Sequence, residues 1–177
     1  KTPEQFSNDA RSDSEIEEQV SGNDADNGGT FQNKTGEVSD IILDLEGNPL
    51  VFYYSYSSSR NDYGLYVAQR NEDGTWWNEA IREDCTVVDV AGAQSSNGDL
   101  HVAYVIESCG DEFDGSEFSL RHARKLAITE ENPNPQWENG YVVDNIQVGG
   151  VDRHLSMVIN KNDLPQISYF ELKTYSN

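Results

Sequence analysis

Several residue types are scarce in this chain, and each scarcity excludes something. Of 177 residues, two are cysteine, one is methionine and five are proline. Positive charge is short as well: 12 Lys and Arg stand against 32 Asp and Glu, giving a net charge of −20. A chain so acidic lacks the basic footprint that releases counterions from a phosphate backbone, which excludes nucleic acid as a partner. It is equally unsuited to anionic membrane surfaces. No apolar run approaches the ~20 residues of a membrane span; the longest, around Leu50-Val51-Phe52-Tyr53-Tyr54, has the length of a strand. Serine-nucleophile motifs and phosphate-cradling glycine loops are absent. The two cysteines and the scattered His101, His122 and His154 show no zinc-ligand spacing. Only 36% of the chain is hydrophobic, and the mean hydropathy is −0.71. The length nevertheless suffices for one domain with a core.

The first 35 residues carry eight acids against Lys1, Arg11 and Lys34, with few apolar side chains and an Asn/Asp/Gly-rich stretch. Such a composition buries too little surface to offset ordering entropy, so residues 1–35 are expected to be an acidic flexible tether. The chain starts at Lys1, which fits either removal of a leader or a fragment of a longer protein. Asn33-Lys34-Thr35 is an N-glycosylation acceptor at Asn33 if the source is eukaryotic.

From residue 36 onward a repeat takes over. Ser39 to Tyr54 reads as strand, tight turn, strand, with the turn around Glu46-Gly47-Asn48. Ala91 to Val105 repeats the pattern around Asn97-Gly98, a strong hairpin signal because both residues tolerate positive φ. Ser156 to Phe170 repeats it again. Superposing Gly47, Gly98 and Asp163 also superposes Tyr53, Tyr104 and Tyr169. It brings Asp44, Ser95 and Asn160 together three positions before each turn residue. The first two copies continue in register: Gly64–Ala68 matches Ser119–Ala123, and Trp76–Ile81 matches Trp137–Val142. The second copy carries insertions at 107–117 and 126–136.

Four short strands per unit, with a Trp near the last, is the pattern of propeller blades. A β-sandwich, whose strands recur without such a repeat, is the competing all-β architecture. The run D-x-x-G-N-P followed by apolar and Tyr-Tyr residues, then L-x-x-A, then W-x-x-E, resembles repeats of secreted bacterial β-propellers. Their general shape is similar to the sialidase and Asp-box group. Asn71-Glu72-Asp73-Gly74-Thr75-Trp76 has the flavour of an Asp-box but lacks the residue separating Asp from Gly, so no sialidase catalytic residue is carried over. The expected fold is all-β: a partial propeller of about two and a half blades, at 36–84, 85–145 and an incomplete 146–177. Completion would come from the remainder of the propeller or from another protein chain, because two and a half blades do not close.

With Asn97-Gly98 central in the turn, Cys85 and Cys109 fall one residue out of direct opposition. A bulge or a three-residue turn brings them face to face, within disulfide reach. Two separate buried thiols are the alternative. A disulfide implies an oxidising compartment: extracellular, cell-surface or periplasmic.

Three groups of residues are candidate sites. Asp152, Arg153 and His154 precede a first strand, where a propeller borders its channel, and suit an anionic or sugar ligand; a surface turn is the plainer alternative. Asp111, Glu112, Asp114 and Glu117 set hard oxygen ligands around Gly115 and suit Ca²⁺ as the one cofactor the sequence suggests; the alternative is a solvated acidic loop. Trp76, Trp77 and Trp137 suggest a sugar-stacking platform, although Trp76 and Trp137 occupy the repeat position and are expected in the core. His101 and His122 are expected as ordinary strand-face residues. The function expected is a non-catalytic extracellular binding or structural module presenting loops to a glycan or protein. The alternative is a sialidase-like or other carbohydrate-active enzyme whose site further blades complete.

Overall fold

The computed structural model describes residues 34–57, 62–70, 74–109, 118–146 and 154–170. Among them there is no helix. The chain runs through ten strands: β1 (Lys34–Leu43), β2 (Pro49–Ser57), β3 (Asp62–Arg70), β4 (Trp76–Glu83), β5 (Cys85–Gln94), β6 (Leu100–Cys109), β7 (Phe118–Lys125), β8 (Glu138–Ile146), β9 (Ser156–Ile159) and β10 (Pro165–Ser168). They form two four-stranded antiparallel meanders, β1-β2-β3-β4 and β5-β6-β7-β8, and a two-stranded sheet, β9-β10. The acidic segment expected over 1–35 falls outside the described residues except at its end, where β1 already begins at Lys34.

Strand register bears out the repeat residue by residue. Tyr53 lies opposite Tyr66 in the first sheet, and Tyr104 lies opposite Arg121 in the second. Ala68 faces Asn78, and the matching Ala123 faces Asn139. Even a side-chain bond recurs: Tyr53 donates to Asn78 Oδ1 at 3.3 Å, and Tyr104 to Asn139 Oδ1 at 2.8 Å.

The three hairpin turns share one design. Asp44, Ser95 and Asn160 each donate a backbone N–H four residues ahead, to Asn48, Asp99 and Leu164, and each carbonyl accepts from the residue three ahead. Only three residues then lie in the loop, and the last must adopt a left-handed backbone, with φ +88° at Gly47, +92° at Gly98 and +58° at Asp163. The polar residue that opens each turn secures it. Asp44 Oδ1 accepts from Glu46 N and Asn48 N, and Asn160 Oδ1 from Asn162 N and Leu164 N. The Ser95 hydroxyl sits between Asn97 Oδ1 and the Asp99 carbonyl. This is the recurring polar position of the sequence, explained as an Asx- or Ser-type turn.

The three-residue turn shifts the hairpin by one position from the two-residue expectation and sets Cys85 opposite Cys109, where they are disulfide-bonded. Two irregularities between Thr86 and Asp89 cancel, so the register at the cysteines equals that at the turn.

The sheets stack face to face. Leu50, Phe52, Leu65 and Val67 of the first sheet form one core with Val90, Val102, Tyr104 and Ile106 of the second. Ala91, Ala103, Val105 and Leu120, on the other face of the second sheet, form another with Met157, Leu155 and Ile167. The second sheet is therefore buried on both sides, and β5 and β6 read accordingly as near-continuous apolar runs. Close approach is fixed by Gly92, where a Cβ would collide with the Phe52 ring across the interface. The first strands adjoin in order, β1 against β5 and β5 against β9. Their contacts are laced by Asp40 Oδ2 accepting from Gly92 N at 2.7 Å and Asp89 Oδ2 accepting from Leu155 N at 2.9 Å.

Candidate functional site

At the turn end of the first two sheets the packing leaves a cleft of about 440 Å³. One wall comes from the β1–β2 turn (Asp44, Leu45, Glu46) and from Gln69, Trp77 and Glu79 on β3 and β4. The other comes from Gln94, Lys125 and the segment Leu126–Ile128 that follows β7. That segment contains no strand and occupies the second of the two insertions expected in the second copy.

Asp99 builds the second wall. Its carboxylate accepts from Arg124 Nε at 3.1 Å and from an Arg124 terminal nitrogen at 2.5 Å, and its other oxygen accepts from Ala127 N at 2.8 Å. Burial pushes the Asp99 pKa up, but the bonds from Arg124, Ala127 and Asn97, with the Arg124 charge, outweigh it and hold the carboxyl below its ordinary value. One buried carboxylate thus fastens the chain leaving β7 to the β5–β6 turn. On the opposite wall, Leu45 N donates to Gln94 Oε1 at 2.8 Å, which ties the first turn to the second sheet.

Within the cleft, Trp77 is 45% exposed. Lys125 Nζ pairs with Glu79 and lies 5.2 Å from the centre of the Trp77 ring. The indole is thus positioned by a cation over one face, itself held by a carboxylate. Apolar contact area, an aromatic plane and the polar groups of Gln69, Glu79 and Lys125 converge in one concave place, which is the composition of a small-molecule site. The flanking Asp44 and Glu46 leave it net acidic.

A second cavity, about 220 Å³, is lined by Arg82, Tyr104, Ile106, Arg121, Asn139 and others. Arg121 Nε donates to Ser119 Oγ at 3.0 Å. Burial pushes the Tyr104 phenol up to about 12, against the pull of the Arg82 and Arg121 charges. Tyr104 therefore stays a hydrogen-bond donor, engaged by Asn139, and is a poor nucleophile at neutral pH.

His101 and His122 stack at 5.3 Å, with His101 Nδ1 3.1 Å from His122 Nε2. His101 is buried, and its Nε2 has no partner among the described residues. The tautomer that avoids an unpaired buried N–H has His101 Nδ1–H donating to His122. Both are strand-face residues, on β6 and β7, as the sequence suggested.

Of the other sequence candidates, Asp152 and Arg153, the calcium set Asp111, Glu112, Asp114 and Glu117, and Asn33 lie outside the described residues. His154 is exposed ahead of β9 and the structure brings it to neither cavity. No group of three or more metal-ligating side chains occurs among the described residues. Trp137 packs against the main core, as its repeat position implied. The cleft itself was not legible as a unit, because Glu79 and Lys125 are 46 residues apart and meet only through sheet packing. One signal did exist: Trp77 breaks the repeat, standing where the second copy has Glu138. Compared with protein-family models, curated proteins and solved structures, the chain gives no match.

Proposed function

We propose that this chain is part of an extracellular, non-catalytic β-propeller module whose inter-sheet cleft binds the end of a neutral or amino-sugar glycan. The propeller reading is supported by in-register four-stranded units whose first strands adjoin in order, as blades do around an axis. The disulfide supports an oxidising compartment. The observation that carries the ligand reading is the half-exposed Trp77 indole in the cleft, at a position where the repeat has no need of an aromatic. An indole face with adjacent hydrogen-bonding groups suits the apolar face and hydroxyl rim of a pyranose. The net charge of −20 and the acids around the cleft disfavour uronic or sialic acids.

The test is calorimetric titration with neutral tetrasaccharides (chitotetraose, cellotetraose, mannotetraose) against wild type and Trp77→Ala. The expected result is saturable binding of at least one, weakened about tenfold or more in the variant. Equal binding by both proteins, or preference for an anionic saccharide, would contradict the proposal.

A further inference from the structure

The dipeptide Asn-Gly occurs at Asn27-Gly28, Asn97-Gly98 and Asn139-Gly140. The first lies outside the described residues, and the fold treats the other two in opposite ways. Asn139 sits within β8, with Gly140 paired to His122. Its side chain spans from the Tyr104 hydroxyl to the Ile81 carbonyl. A strand stands its side chains roughly perpendicular to the sheet, off the line of the next peptide nitrogen. Asn97 is exposed in the β5–β6 turn, and its amide folds back along the chain. Its Oδ1 accepts from Asp99 N, two residues ahead, at 3.2 Å, and from the buried Ser95 hydroxyl at 2.5 Å. Its Nδ2 donates to Asp99 Oδ2 at 3.3 Å. The ring closed by the bond from Asp99 N to Oδ1 encloses both the side-chain carbonyl carbon Cγ and the Gly98 nitrogen, and so holds the two close.

We infer that Asn97 is a covalent modification site, at which the turn promotes deamidation of its own side chain. The Gly98 nitrogen bonds to Asn97 Cγ and releases its proton to solvent. The Cγ–Nδ2 bond then breaks, and Nδ2 takes one proton from solvent and leaves as ammonia. Water opens the five-membered imide at either carbonyl, leaving aspartate or its β-linked isomer; one water is consumed and one ammonia released. During the attack negative charge develops on Oδ1, where the Ser95 hydroxyl and the Asp99 N–H already donate, as in an oxyanion hole. The single hydroxyl proton goes to this oxygen, the nearer of its two acceptors, the other being the Asp99 carbonyl at 3.1 Å. One turn bond, from Gly98 N to Ser95 O, has to open. Glycine, lacking a Cβ, leaves its nitrogen unshielded. The product removes the Nδ2 donor from Asp99 and sets a like charge beside it, which loosens the hold of Asp99 on Arg124 and Ala127. The chemistry stands apart from the glycan reading and needs no ligand in the cleft.

The test keeps the whole chain folded near neutral pH and, in parallel, unfolded in urea, and follows its tryptic peptides by mass spectrometry over time. Asn97 and Asn139 fall on separate peptides, 83–121 and 126–153, and fragmentation reads the converted residue. In urea the two asparagines should convert at similar rates. Folding should speed Asn97 and slow Asn139, so that the two differ by about tenfold or more in the native protein. Ser95→Ala removes the nearer donor and should slow Asn97 about tenfold or more. A hydroxyl that only braced the turn would have the opposite effect, since a loosened turn would convert faster. Conversion of Asn97 that is slower in the folded chain than in urea overturns the inference, as does a Ser95→Ala rate equal to or above that of wild type. If Ser95→Ala does not fold, the comparison of folded with unfolded wild type decides alone.

Discussion

His101 and His122 show how burial turns an ordinary side chain into a stability element. Burial pushes His122 down to about 4, with the charges of His101 and Arg124 adding. Burial also lowers His101, helped by Arg124 and opposed by Asp99 and Asp163. In the unfolded chain both titrate near 6.5. Between 6.5 and about 4 the unfolded state binds more protons at His122, so that residue's stabilisation is complete above pH ~6.5, falls as pH drops toward ~4, and changes no further below, and the contribution of His101 is lost in the same direction. Asp99 is held below 3.8, so its own loss comes at lower pH and stays separate. Urea titrations at neutral pH and near pH 4.5 should show wild type losing on the order of 2 kcal/mol more than His122→Gln, after discounting for solvent screening. Equal losses would mean that His122 binds its proton as readily in the folded state as in the unfolded one. The sequence placed both imidazoles on strand faces correctly. It gave no means of placing them against one another, because a diagonal contact depends on the pairing register of β6 with β7.

At the scale of the element, the β5–β6 hairpin is closed at both ends. The three-residue turn secures one end through Ser95 and Gly98, and the Cys85–Cys109 bond secures the other across 24 residues. Cross-linking a loop of that size restricts the unfolded chain by about 3–4 kcal/mol in the entropy model. The double variant Cys85→Ala/Cys109→Ala should therefore lose about 3 kcal/mol in urea denaturation. A loss under about 0.5 kcal/mol would show that the unfolded chain is already compact there. This element was the most legible in the chain. Turn chemistry, the repeat and cysteine spacing all pointed to one hairpin, and the open point was a single residue of register, resolved by the left-handed Gly98. The segment that follows β7 was far less legible. With no periodicity of its own, it read only as an insertion, and its position depends on Asp99, a buried acid 28 residues away from Ala127.

For the whole molecule, stacking was legible only in part. The repeat told how many sheets to expect and which strands compose them, because recurring turns and strand-length runs are local signals. It did not tell that the second sheet would be sealed on both faces by its neighbours, although the near-continuous apolar runs of β5 and β6 carry that information in hindsight. Nor did it reveal a cleft, since a cleft is what packing leaves over. The field of the molecule follows from composition alone: twenty surplus negative charges favour neutral or cationic ligands and set a repulsion that salt relieves.

The central claim, that the Trp77 cleft takes a neutral glycan, is tested most directly at the indole itself. Nitrogen-15-labelled protein offers three tryptophan indole N–H resonances, assignable by substitution of Trp76 and Trp77. On titration with chitotetraose, cellotetraose and mannotetraose, the Trp77 resonance should shift saturably with at least one of them, while that of Trp137, packed against the core, stays fixed. A Trp77 resonance that does not move at millimolar concentrations of any of the three, or a shift confined to Trp137, would contradict the account.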